Sequence, residues 1–490
     1  MRKRKQWMLL LTLLLMQGLL AAGCGQRNPA HGPEEAAVCR ETEAPGTSAD
    51  RETAETDDRK AAETADQETA GSAGQETAAP ASYYSTAWGR ELLDQTEALE
   101  LPERFDYRTQ GRMPEVEDQG TLGTCWAFSS LMAMETTLLP EESWNFSEDH
   151  MSRQNSFSLG QEEGGQYAIS MAYLLAWQGP VTEEEDPYGD GQSPDGLAPS
   201  KHVQEIRLLE SKDYQRIKQA VYTSGGVQSS LFTQLQDGAD TDRYYDEKNF
   251  SYYYPGGERP NHNVVIIGWD DHYPKENFKN QPEGDGAFLC LNSWGPEFAQ
   301  GGCFYVSYYD TNIGDVNVLY SGITEPDYYT GIYQSDLCGW IGQLGYGDGD
   351  AYFTNGYTAE SGEKLKAVGF YATMPETSYQ VYVQTGAAGP EELKLDEPLA
   401  EGRFRDAGFY TVELPGEIPL AMGERFWIVV KIHTPGAVHP VAIEYQAPDV
   451  GGKVDLTDGE GYLSPDGTQW ASAERMQNSN LCLKAYTVRE

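Results

Sequence analysis

The first half of the sequence contains segments whose apolar residues have helical spacing. After Cys125, apolar residues recur at intervals of four, three and four positions: Ala127, Leu131, Met134 and Leu138. This spacing places them on one face of a helix and predicts that this face is buried. Similar segments predict two further helices, at 167–177 and 214–222.

Beyond residue 249 the apolar residues form short continuous runs instead. Such runs are typical of buried strands. The three clearest runs lie at 264–267, 287–291 and 303–306. The chain up to residue 325 is therefore predicted to have an α+β fold, in which a helical part precedes a β part.

A different pattern begins near residue 326. From there on, nearly every periodic segment is short, alternates between apolar and polar residues, and is bounded by Gly, Pro or Asp. Examples lie at 367–371, 379–383 and 426–432. Short strands at this spacing predict an all-β sandwich domain over 326–490.

The N-terminus has the features of a targeting signal. Basic residues at 2–5 precede an apolar run at 7–16, which is shorter than the roughly 20 residues of a membrane-spanning helix. The stretch Leu20-Ala21-Ala22-Gly23-Cys24 resembles a bacterial lipoprotein signal. This resemblance implies a signal peptide over 1–24 and lipidation of Cys24. An ordinary cleaved signal with an incidental cysteine is the alternative.

Residues 25–82 are predicted to be an acidic, low-complexity tether. Between 31 and 80 there is no aromatic residue, and thirteen acidic against four basic residues leave a charge of −9. Such a segment buries too little apolar area to offset its ordering entropy. Its Ala and Glu content also allows a helix, although no apolar stripe is available to dock it.

The net charge and the spacing of the cysteines limit the partners and cofactors that we expect the protein to bind. A net charge of −42 disfavours nucleic acid and anionic lipid, so membrane contact is expected only through the N-terminal lipid. Cysteines show no regular framework and no CxxC pair, so neither a metal nor a cofactor is expected. Four of them are interpreted as small buried residues: Cys290, Cys303, Cys338 and Cys482.

Candidate chemistry centres on Cys125, which stands where the first helical pattern begins. A helix N-terminus favours the reactive thiolate, and Gln119, six residues upstream, can supply an oxyanion donor. His262 follows 137 residues after Cys125, and Asn292 another 30 residues later. Each residue alone has a structural explanation, as a turn, a core histidine or a strand cap. In this order and spacing they predict a Cys-His-Asn site.

Residues 101 to about 322 resemble the papain family of cysteine peptidases, with the peptidase domain expected over 83–325. The resemblance implies a two-lobed fold, in which a helical lobe faces a β-barrel-like lobe. It also implies that Gln119 and the Cys125 backbone N–H form an oxyanion hole, and that Asn292 orients His262. Trp294, in the stretch Asn292-Ser293-Trp294-Gly295, would shield the contact between Asn292 and His262 from water.

The same resemblance implies substrate-binding residues. Gly164 and Gly165 match the glycine pair whose bare backbone lets an extended substrate pair like an added strand. Tyr167, Pro260 and Asn263 are expected near the S2 subsite. The chain departs from the family at Leu122, where many members carry a disulfide-forming cysteine.

Residues 327–490 resemble the lectin-like domain that follows the peptidase in some bacterial members of the family. Stretches such as 351–355, 365–371, 426–431 and 464–470 carry this resemblance. Exposed Trp and Tyr residues of such a domain can stack on sugar rings, which predicts a cell-surface glycan as a partner. Core packing is the competing explanation for these aromatic residues.

The combined prediction is a secreted, lipid-anchored cysteine endopeptidase on the outer face of a bacterial membrane, which cleaves extracellular proteins or peptides. One alternative is a surface-binding protein or adhesin whose peptidase-like domain does not hydrolyse. Another is a Cys-His acyl transferase or amidase, for which an Asp would orient the histidine, and Asp270 and Asp271 are available. Asn292 favours the peptidase.

Overall fold

The computed structural model describes four segments of the chain: 93–94, 99–233, 243–447 and 454–489. The predicted signal peptide, Cys24 and the tether lie outside these residues. Within the described segments, none of the helices is long and apolar enough to cross a membrane.

The predicted helices are present. In the described residues the α-helices are α1 (Cys125–Leu138), α2 (Glu148–Arg153), α3 (Tyr167–Leu175), α4 (Tyr214–Thr223) and α5 (Ala473–Gln477). Helix α1 differs from the expectation of one buried face, because all of its residues are buried. Its polar side chains therefore need partners inside the protein.

The strands of the described residues fall into two successive groups. The first group, before residue 325, comprises β1 (Arg104–Asp106), β2 (His202–Leu209), β3 (Val227–Leu231), β4 (Tyr245–Asp246), β5 (Ser251–Tyr252), β6 (His262–Asp270), β7 (Ala287–Leu291), β8 (Cys303–Ser307) and β9 (Asn317–Thr324). The second group comprises β10 (Gly331–Tyr333), β11 (Gly342–Leu344), β12 (Asp350–Thr358), β13 (Glu363–Ala372), β14 (Thr377–Thr385), β15 (Ala400–Phe404), β16 (Ala407–Leu420), β17 (Arg425–His433), β18 (Val441–Tyr445), β19 (Gly461–Ser464), β20 (Ala471–Ser472), β21 (Ser479–Leu481) and β22 (Leu483–Arg489). All three strands predicted before residue 325 are confirmed, as β6, β7 and β8.

The largest sheet runs through both groups of strands. Its order is β10-β22-β13-β16-β2-β9-β3-β6-β7-β8-β5-β4, with β1 paired to β6. The two groups meet where residues 407–410 of β16 pair antiparallel with residues 205–208 of β2. The C-terminal strands also form a six-stranded sheet and a three-stranded sheet. The C-terminal β domain is therefore joined to the first domain by backbone hydrogen bonds.

A buried polar network fixes the first turn of α1. Gln228 on β3 donates from Nε2 to Ser129 Oγ at 2.8 Å, and its Oε1 accepts from Tyr320 at 2.7 Å. Ser130 Oγ donates to Ser170 Oγ on α3 at 2.7 Å. These bonds satisfy the buried hydroxyls of α1 and hold its N-terminus against β3 and α3.

Candidate active site

Cys125 is the first residue of α1 and is almost fully buried, with 1% of its surface exposed. The N-cap residue, Thr124, makes no side-chain cap hydrogen bond, and its hydroxyl contacts the Tyr188 hydroxyl at 2.6 Å instead. The Thr124 side chain therefore does not occupy the N–H groups of the first turn. These groups and the helix dipole favour a negative charge on the Cys125 sulfur.

His262 and Asn292 lie together because of the pairing between β6 and β7. His262 is the first residue of β6, and Asn292 follows the last residue of β7. The two strands are antiparallel, with Val265 opposite Leu291, so His262 and Asn292 meet at one edge. His262 Nε2 lies 2.7 Å from Asn292 Oδ1.

This contact determines which ring nitrogen of His262 can exchange a proton. Since Asn292 Oδ1 can only accept, Nε2 carries the hydrogen and Nδ1 is the acceptor of a neutral ring. Nδ1 is buried and makes no hydrogen bond within the described structure. Trp294 stacks on the imidazole, with ring centroids 4.8 Å apart at an interplanar angle of 28°. The indole thus covers one face of the imidazole.

Gln119 is held by the segment that carries Asn292. Its backbone N–H donates to Ser293 O at 2.9 Å, and its side-chain Oε1 accepts from Ser293 Oγ at 2.7 Å. Its Nε2 donates to Leu122 O at 2.8 Å, which leaves the second amide hydrogen for another acceptor. Ser293 was not identified as a site residue from the sequence, although it stands beside Asn292.

Asn263 contacts the thiol directly. The sequence assigned Asn263 to a substrate subsite, but the structure directs its Nδ2 at Cys125 Sγ, 3.8 Å away. Asn263 follows His262 on β6 and is buried. This contact brings Cys125, at the start of α1, against the start of β6.

The glycine pair has a packing role at the start of α1. A Cβ on Gly165 would lie 2.4 Å from Trp126 Nε1, and a Cβ on Gly123 would lie 2.9 Å from Gly164 N. Gly164 also has a φ of +80°, which favours glycine. Only bare backbone fits where the 164–165 segment approaches α1.

The other two predicted subsite residues lie on separate elements. Tyr167 begins α3 and is half-buried, and burial raises its pKa to about 12. Pro260 is half-buried and directly precedes Asn261, whose side chain bonds both the N–H and the C=O of Thr233 at 2.8 Å. Both stay predictions as substrate contacts.

The described thiols outside this site are also buried. Burial raises the pKa of Cys303 to about 12 and those of Cys290 and Cys482 well above the ordinary value. Cys338 is also buried, and none of the described cysteines forms a disulfide. The interpretation of these four as small buried residues is confirmed.

Two family models match the chain. Residues 101–342 match the model described as Papain family cysteine protease, and residues 332–487 match the model described as Lectin like domain.

Curated relatives resemble the first of these segments. The chain is 27% identical over 219 residues to germination-specific cysteine protease 1 of Arabidopsis thaliana, covering 41% of this chain and 51% of that protein. It is 23% identical over 212 residues to fruit bromelain of Ananas comosus, covering 43% of this chain and 56% of bromelain. The chain spans about half the length of these relatives.

A solved structure matches both segments together. The cysteine protease and lectin-like domains of Cwp84, a surface layer associated protein of Clostridium difficile, have a TM-score of 0.70 with this chain at 22% identity. The match covers 84% of this chain and 98% of that chain. The predicted fold class, a papain-like domain followed by an all-β domain, is thereby confirmed.

Proposed function

We propose that this chain, in which a papain-family cysteine peptidase domain is followed by a lectin-like domain, is an endopeptidase. The observation that carries the proposal is the 2.7 Å contact between His262 Nε2 and Asn292 Oδ1 beneath the Trp294 ring. This contact leaves His262 Nδ1 as the proton acceptor. His262 is also next to Cys125 along the chain of contacts, because the following residue of β6, Asn263, contacts Cys125 Sγ.

In this mechanism His262 Nδ1 takes the proton of the Cys125 thiol, and the sulfur attacks the peptide carbonyl carbon. The C–S bond forms while the carbonyl electron pair moves to oxygen. Gln119 Nε2 and the Cys125 backbone N–H donate to this oxyanion. The C–N bond then breaks, and His262 protonates the leaving amine.

The second half of the cycle releases the acid product. Water attacks the thioester, and His262 accepts its proton before returning it to the departing sulfur. Asn292 holds the imidazole orientation through both halves. Asn263 Nδ2, beside Sγ, donates to the sulfur while it is negatively charged.

The proposal is tested by incubating a peptide library with the wild-type protein and with Cys125→Ala. We expect the wild type to cleave internal bonds and the variant to cleave none, with the cleaved sequences giving the S2 preference. Peptides that are joined to an added amine, and not hydrolysed, would indicate an acyl transferase. Peptides that are bound but left intact by both proteins would indicate a binding protein.

We further propose that the protein works outside the cell and is held there by a lipid on Cys24. The basic and apolar N-terminal segment supports secretion, and the surface location stated for Cwp84 agrees with it. Mass spectrometry of the mature N-terminus tests this proposal. A diacylglyceryl group on Cys24 is expected, and a mature chain that starts beyond Cys24 would contradict it.

A glycan partner is proposed for a polar groove on the lectin-like domain. The groove has a volume of about 510 Å³, and its lining includes Asp350, Tyr379, Gln380, Lys431 and His433. Carboxylate, amide and aromatic groups of this kind can recognise sugar hydroxyls and ring faces. Binding of the wild type and of Tyr379→Ala to a bacterial glycan array tests this proposal. Equal binding by the two proteins would exclude this groove as the glycan site.

A further inference from the structure

Three carboxylates from separate segments converge beside the active site. Glu117 lies two residues before Gln119, Glu148 is the first residue of α2, and Glu183 follows the bridge between Phe146 and Thr182. One oxygen from each carboxylate lies within 4.8 Å of the other two. No local sequence pattern indicates this group, because successive members are 31 and 35 residues apart.

Two of the three carboxylates have a buried oxygen without a hydrogen-bond partner. Glu148 is 1% exposed, and its Oε2 is unsatisfied. Glu183 Oε2 is also buried and unsatisfied. A buried carboxylate oxygen without a donor is costly, so a native protein normally pairs it with a proton donor or a cation.

Acidic groups predominate around the three carboxylates in the described residues. In the part of the chain that the structure describes, no Lys, Arg or His nitrogen forms an ion pair with Glu117, Glu148 or Glu183. The nearby titratable groups are mostly acidic: Glu115, Glu135, Asp186 and Asp149, of which Asp149 pairs with Arg153 at 3.2 Å.

We propose that Glu117, Glu148 and Glu183 bind a divalent cation, and that the cation is Ca²⁺. Calcium takes six to eight oxygen ligands at about 2.3–2.6 Å, so oxygens on opposite sides of the ion are about 5 Å apart. The three oxygens lie within 4.8 Å of one another, which is close enough for all three to bind one such ion. Mg²⁺ is smaller, keeps several waters and is usually bound by only one or two carboxylates, so a group of three carboxylates favours Ca²⁺.

The cation would stabilise the segment that carries Gln119. Glu183 uses its other oxygen, Oε1, to accept from Tyr188 N at 2.7 Å. The Tyr188 hydroxyl donates to Gln119 O at 3.0 Å and contacts the Thr124 hydroxyl. Glu117 is itself part of this segment. A cation that ties Glu117 to Glu183 therefore positions the oxyanion donor, a consequence that rests on the proposed function.

Calorimetric titration of the EDTA-treated full chain with CaCl₂ tests the site, together with melting curves in CaCl₂ and in EDTA. We expect saturable binding and a higher Tm with Ca²⁺. In Glu183→Gln the affinity should fall at least about tenfold, since a charged ligand is lost. In Glu117→Lys a fixed ammonium group would replace the ion, so binding should disappear and Tm should no longer depend on Ca²⁺.

Glu474→Gln is the matched control. Glu474 belongs to a second acidic group, with Asp458 and Glu460, in the lectin-like domain. The proposal requires this variant to keep the calcium response of the wild type. It is overturned if the wild type neither binds Ca²⁺ nor changes Tm, which would mean that the carboxylates share protons. It is also overturned if Glu474→Gln removes the response and Glu183→Gln does not, or if Mg²⁺ binds more tightly than Ca²⁺.

Peptide hydrolysis measured in the same samples separates the two proposals. Calcium binding without hydrolysis would contradict the proposed endopeptidase function and support the calcium site. Hydrolysis without calcium binding would contradict only the calcium site. If both hold, kcat should fall in EDTA and recover with CaCl₂, and in Glu117→Lys kcat should be unaffected by EDTA.

Discussion

Replacing His262 with alanine is expected to lower kcat/KM for a peptide substrate by about 10⁴-fold or more. His262 is the group that moves every proton in the mechanism, and no other histidine contacts Asn292 within the described structure. Its loss leaves Cys125 without a base and the leaving amine without an acid. The measurement is kcat/KM on the best substrate from the peptide library, with folding checked by circular dichroism.

His202→Ala provides the matched control. His202 is also buried, and it stacks on Trp177 with ring centroids 3.7 Å apart, at the beginning of β2. This substitution removes a buried imidazole without touching the site, so it should lower stability and leave kcat/KM within a few-fold of the wild type. Equal losses in the two variants would mean that His262 is a structural histidine.

Replacing Gln119 with alanine is expected to lower kcat by about 10²–10³-fold, with little change in KM. In the proposed mechanism the Gln119 amide donates to the oxyanion, which exists only after the sulfur has attacked. Its loss therefore removes an interaction that the transition state makes and the bound substrate does not. Steady-state kinetics with a single peptide give the two constants separately.

Two further variants separate the role of the Gln119 amide as a donor from the role of Ser293, which orients it. Gln119→Glu keeps the oxygen that accepts from Ser293 but replaces the amide donor, so it should be at least as inactive as Gln119→Ala. Ser293→Ala removes only the hydrogen bond that orients the amide, and a loss of about tenfold or less is expected. A Gln119→Glu protein with wild-type kcat would contradict the oxyanion role.

The parts of the fold that the sequence predicts are those with a local signal. The run 287–291 coincides with β7, because a short continuous apolar segment is typical of a strand that is buried on both faces of its sheet. The start of α1 is also marked locally, at Cys125. The sequence does not indicate that α1 is buried on all sides, because Ser129 and Ser130 suggest a solvent-exposed polar face. Only the structure shows that Gln228 and Tyr320 form hydrogen bonds with these two serines.

Contacts between distant segments could not be predicted in this way. The pairing of β16 with β2 joins residues about 200 positions apart and has no pattern within either strand. The same holds for the convergence of Glu117, Glu148 and Glu183, because a solvated acidic residue and a buried one look alike in a sequence. The sequence predicts Asn263 as an S2 residue, whereas its contact with the Cys125 sulfur is visible only in the structure.

The central claim is that His262 activates Cys125, and cysteine reactivity tests it most directly. The native chain is treated briefly with iodoacetamide at pH 6, and the modified cysteines are located by peptide mapping. Cys290, Cys303 and Cys482 have raised pKa values through burial and should react slowly. We predict that Cys125 reacts at least about tenfold faster than these three, and that His262→Ala removes the difference. Alkylation of Cys125 at the rate of the other three, or at an unchanged rate in His262→Ala, would contradict the account.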